Sequence, residues 1–152
     1  MENKKLIIHE FDPCIYPRLL WVVKGGTLDK IKEILEVGDL DEDNVGGAVT
    51  ILARKKENGL LGYCVWFPSS SDIKRLDWIA HESAHVALCI FNDIGARVLY
   101  EDQEPLAYLV GWAFECIDKV RRIKNGGKSE PKDRKEAIPQ EACEAKEENR
   151  NG

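Results

Sequence analysis

The chain has no apolar run approaching the ~20 residues that a membrane span requires. Behind Met1-Glu2-Asn3-Lys4-Lys5 stands only Leu6-Ile7-Ile8, too short for the core of a signal peptide. A cytoplasmic protein with no membrane partner is the expectation. There is no basic excess either: 22 Lys and Arg face 27 Asp and Glu, for a net charge of −5. A surface that binds phosphates needs the opposite balance, so nucleic acid is not an expected partner. Five cysteines are an odd number, widely spaced and without a Cys-x-x-Cys pair, which fits a cytoplasmic compartment and argues against cysteine-based metal binding or catalysis. Cys64, Cys89 and Cys116 lie in apolar stretches and are expected as small buried side chains. No internal repeat is present. Histidine is scarce, with three in the chain, so the position of each one is informative.

What is present is enough for one folded domain. The chain has 152 residues and is 43% hydrophobic. Residues 1–126 carry the patterned segments, and residues 127–152 form a charged stretch with few apolar residues, expected as a disordered tail. Residues 4–9 read as a short strand. Leu19-Leu20-Trp21-Val22-Val23 reads as a buried strand, with a short helix as the alternative. Thr27 reads as the N-cap of a helix through about Val37, with Leu28, Ile31, Ile34 and Leu35 as its stripe and Gly38 at its end. Ala48–Lys55 and Leu60–Phe67 read as a β-hairpin around Asn58-Gly59, with both turn residues at positive φ. The second arm is apolar almost throughout, so both its faces are expected to be covered. A helix should follow from about Asp72 to Asn92 or Asp93, buried nearly all round in its second half. A closing helix is expected from about Pro105 to Lys124. This order defines an α+β domain, a short antiparallel hairpin sheet packed on a buried helix and the helix after it.

The chemistry lies in His81-Glu82-Ser83-Ala84-His85. Residues four apart share one face of a helix, so His81 and His85 can direct their rings at one metal ion. Glu82 stands beside them as a general base. An H-E-x-x-H match should arise by chance in about 1% of chains of this length and composition. A catalytic zinc site takes three protein ligands and leaves a position open. His9 is remote in sequence, and Phe91 stands where the third histidine of a metzincin would be. The third ligand is therefore expected to be a carboxylate, from among Glu101, Asp102, Glu104 and Glu115. Glu104 is best placed, because it opens the closing helix and Pro105 holds it at the boundary. Asp77, Asp93 and Glu115 are candidates to orient the imidazoles. Tyr108 is a candidate oxyanion donor, although a buried aromatic beside Trp112 is the better-supported role.

Over about residues 70–120 the pattern resembles the zincin metallopeptidases, in the gluzincin branch, and is most similar to small domains of the ImmA/IrrE type. Two stretches carry the likeness, His81-Glu82-Ser83-Ala84-His85 and Glu104-Pro105-Leu106-Ala107-Tyr108. The chain departs from the family at Ala84, where glycine is usual, and at Pro105. The resemblance implies a zinc-like cation, Zn2+, held by His81, His85 and Glu104, with Glu82 as the general base. It also implies a peptide or protein substrate bound as an added strand along a sheet edge, which the Ala48–Phe67 hairpin would supply. A metal-binding module that recognises a protein without cleaving it is the alternative.

Overall fold

The computed structural model describes residues 5–124. The expected tail, residues 127–152, and Cys143 lie outside the described residues. Five strands form one sheet in the order β1-β2-β5-β4-β3, where β1 is Ile7–Phe11, β2 is Leu19–Lys24, β3 is Leu35–Val37, β4 is Val49–Lys55 and β5 is Leu61–Phe67. The fold is α+β as expected, but the sheet is larger than one hairpin and is mixed. β2 runs parallel to β5, and the other three pairings are antiparallel.

β2 and β5 are central, and this explains their continuous apolar sequences. Leu20, Val22, Tyr63, Val65 and Phe67 face one core. Trp21, Val23, Cys64 and Trp66 face a second core on the other side. The second core is closed by a short helix, α1 (Leu28–Lys32), whose N-cap Thr27 accepts a hydrogen bond from the Lys30 amide. The helix expected to run to Val37 stops five residues earlier, and Leu35–Val37 is a strand instead. Pairing with Ala53–Lys55 decides this: β3 exchanges backbone hydrogen bonds with β4, and Leu35 is fully buried against Trp21 and Trp66 in the second core. Tertiary pairing here overrides a helical stripe that was locally plausible.

The hairpin lies where the Asn-Gly signal placed it, but its turn is longer. Lys55 donates to the Leu60 carbonyl and Gly59 donates to the Lys55 carbonyl, which closes a four-residue loop, Lys56–Gly59. Gly59 alone takes positive φ, at 73°, while Asn58 caps the loop by accepting from the Leu60 amide. The first strand also starts later than expected, at Ile7 rather than residue 4, because β2 offers it partners from Leu20 to Lys24.

The first core is covered by two helices, α2 (Leu76–Asp93) and α3 (Glu104–Arg122). The expected helix from Asp72 is broken into a 3-10 turn, Asp72–Lys74, and α2, with Arg75 extended between them. Continuous helix would stack Ile73 above Asp77 and Ala80, both exposed; the break turns Ile73 into the core, where it is fully buried. Hydrogen bonds from the Gly95 and Ala96 amides to Asn92 and Phe91 close the far end of α2.

Anchors fix the helix directions. Asp93, at the end of α2, accepts from Tyr63 Oη at 2.7 Å and Arg18 Nε at 2.8 Å, near the starts of β5 and β2. Ile123, just past α3, accepts from Lys24 Nζ at 3.0 Å at the end of β2. α2 therefore runs against β2 and β5, α3 runs with them, and the two helices pack antiparallel. No described helix is long and apolar enough to cross a membrane.

Candidate metal centre

α2 is not buried all round. With α3 on one flank and the sheet beneath, its outer face is open: His81 and His85 are exposed, and Leu88 is 46% exposed. The inner face, Ile79, Val86, Ala87 and Ile90, is fully buried. Ser83 can be buried there because its hydroxyl donates back to the Ile79 carbonyl at 2.6 Å.

The two imidazoles converge. His81 Nε2 and His85 Nε2 stand 2.9 Å apart, with the rings edge-on to one another and their centroids separated by 4.6 Å. That spacing is within hydrogen-bond distance, and which ring nitrogen donates depends on the tautomers. Two nitrogens on a tetrahedral zinc, each ~2.0–2.1 Å from the ion, stand about 3.3 Å apart. The observed 2.9 Å is a few tenths of an ångström shorter than that.

Glu82 lies between the histidines and the sheet. It is 6% exposed, and its Oε2 accepts from Thr50 Oγ1 of β4 at 2.6 Å. Trp78, one turn earlier on α2, also reaches the β4 side. Its ring lies against Gly47, where an added Cβ would sit 1.7 Å from the ring. The approach requires glycine, and it pins the chain entering β4 to the start of α2. Arg75 lies over the outer face of the same indole, 4.3 Å from the centroid.

The edge of β4 beside Glu82 is open. The Lys55 amide faces β5, so Ile51 and Ala53 face β5 as well, and Thr50, Leu52 and Arg54 direct their amides and carbonyls to the other side. β3 covers only Ala53–Lys55. Among the described residues no strand pairs with Thr50 or Leu52 on that side. Their side chains face α2, because their partners across the ladder, Val65 and Tyr63, belong to the core beneath α2.

The expected third ligand is not brought to the pair. Glu104 is exposed at the first position of α3. α3 begins at the end of α2 where Asp93 lies, and His85 is eight residues back, about 12 Å of helix axis. No group of three His, Cys, Asp or Glu side chains suited to a metal exists among the described residues. His9 lies on β1, three strands from β4, and burial lowers its pKa. The expected orienting carboxylates are engaged elsewhere: Asp77 with Arg75, Asp93 with Arg18 and Tyr63, and Glu115 with Lys119. Tyr108 is 36% exposed, not buried beside Trp112. Cys64 and Cys116 are buried as expected, with thiols pushed up to about 12 by desolvation, and neither offers a thiolate. Thr50 carried no signal in the sequence, since its role depends on which strand lies beneath α2.

No protein-family model matches the chain, and no curated protein or solved structure is detectably similar to it.

Proposed function

We propose that the protein is a zinc-dependent peptidase of the zincin type, with His81 and His85 as metal ligands and Glu82 as the general base. The observation that carries this reading is the convergence of the two imidazole nitrogens to 2.9 Å on the open face of α2. Zinc held by these residues would supply a Lewis acid and would lower the pKa of water at the site toward ~7. The chain's own residues do the rest. Each histidine would offer one ring nitrogen, Nε2, to the metal. Glu82, one step round the helix from His81, takes a proton from the attacking water and returns it to the leaving amine. The open edge of β4 offers the amides and carbonyls of Thr50 and Leu52 to an extended peptide, which adds as a strand beside Glu82.

Glu104 is the third ligand that the family resemblance implies, and in this structure it stands apart from the histidine pair at the first position of α3. Metal analysis of purified protein decides the centre. Wild type should hold one equivalent of zinc, His81→Ala should lose it, and Glu104→Gln should weaken it by about tenfold or more. Glu82→Gln should keep the metal and lose hydrolysis of a fluorogenic peptide library. Zinc-free wild-type protein under saturating zinc would falsify the centre.

A second reading draws on the same open edge of β4, where among the described residues no strand lies beside Thr50 or Leu52. On that reading the protein binds metal and a partner strand but cleaves nothing. Full peptide binding by zinc-loaded wild type without Glu82-dependent cleavage would select it.

A further inference from the structure

Among the described residues Glu82 is the carboxylate that falls below a tenth exposed. Burying a carboxylate is costly unless a donor compensates it. The donor is Thr50 Oγ1 at 2.6 Å, within the short range of a hydroxyl bonded to a charged oxygen. Thr50 is β-branched, so its χ1 is restricted and the strand fixes where the hydroxyl points. Its main chain lies on the open edge of β4, and its side chain faces α2.

We propose that Thr50 is the positioning residue for Glu82: its hydroxyl holds the carboxylate at the place where a peptide added to the β4 edge passes α2. The proposal rests on the peptidase reading. One residue then sets two things at once. Its amide and carbonyl fix the substrate strand, and its hydroxyl fixes the base, so the base and the substrate are registered on the same Cα. Separate supports would let the two drift apart, and a misplacement of ~1 Å costs about a hundredfold in rate.

The test compares zinc-loaded wild type, Thr50→Val, Thr50→Ala and Thr50→Ser on a library of fluorogenic hexapeptides, with Glu82→Gln as the inactive reference. Thr50→Val keeps the shape and removes the donor; Thr50→Ser keeps the donor. Zinc stoichiometry should be unchanged in all of them, because the hydroxyl bonds to Glu82 and not to the histidines. kcat should fall about tenfold or more in the Val and Ala variants, with KM within about threefold, and recover to within about threefold of wild type in the Ser variant. If Thr50→Val does not fold, the contrast between Ala and Ser decides alone. Zinc loss in the Val or Ala variant would make the role structural and overturn the proposal. A wild-type or higher kcat without the hydroxyl, beside an inactive Glu82→Gln, overturns it and leaves the peptidase reading standing. Zinc-loaded wild type with no Glu82-dependent cleavage removes both.

Discussion

Lys24 is an ammonium placed where water hardly reaches. It is 7% exposed, its Nζ donates to the Ile123 carbonyl, and Lys74 stands near enough to repel it. Desolvation first, and Lys74 second, hold its pKa below the ordinary lysine value. The folded protein therefore releases this proton at lower pH than the unfolded chain. Between the depressed value and ~10.4 the unfolded state binds more protons, so the contribution of Lys24 to stability rises with pH across that window. We expect wild type to gain stability relative to Lys24→Met as pH is raised from 7 to 10, read from urea midpoints at each pH. A difference that stays constant would show that the charge is not penalised. The same residue ties the end of α3 to the end of β2, so the cost is borne where the second helix is anchored.

At the scale of elements, β4 has two unlike edges. The Ile51 amide belongs to the ladder with β5, and the Leu52 amide points to the open side. Proline removes the amide in either case, but only Ile51→Pro breaks a ladder bond, at about 3 kcal/mol or more. Leu52→Pro should fold with its circular dichroism spectrum intact and bind peptide about tenfold more weakly, since it loses one of the edge donors. Equal destabilisation of the two variants would place the register one residue away from that described. The hairpin was legible in the sequence, since Asn58-Gly59 between apolar arms has few other outcomes. The stretch Thr27–Val37 was not. Its stripe of Leu28, Ile31 and Leu35 fits a helix and also fits a turn of helix followed by a strand. Only the presence of Ala53–Lys55 alongside decides between them.

At the scale of the whole molecule, β2 and β5 separate two cores and belong to both. Ile31, at 1% exposure, packs beneath α1, and Ile90, fully buried, packs beneath α2. Truncation of either to alanine should cost about 2–5 kcal/mol. Because the cores share two strands, loss of one removes support from the other. Each variant should unfold in one transition, with the same midpoint by circular dichroism and by tryptophan fluorescence. Two separated midpoints would mean that the cores fold independently. This layering also explains the exposed histidines. One sheet and one neighbouring helix bury about half of the circumference of α2, and His81 and His85 fall on the other half.

Spacing along the chain by itself determined that His81 and His85 share a face, because helical geometry needs no partner to impose that. It also determined that β2 and β5 lie inside, since runs such as Leu19–Val23 and Gly62–Phe67 have no polar face to give to water. It could not determine what stands opposite those faces. That Thr50 meets Glu82, that the edge of β4 is open beside it, and that Glu104 begins its helix far from the histidines all follow from strand order and helix direction. Those are fixed by contacts between residues distant in sequence, such as Asp93 with Tyr63 and Lys24 with Ile123. Local pattern records which side of an element is apolar; only tertiary packing selects the neighbour that covers it.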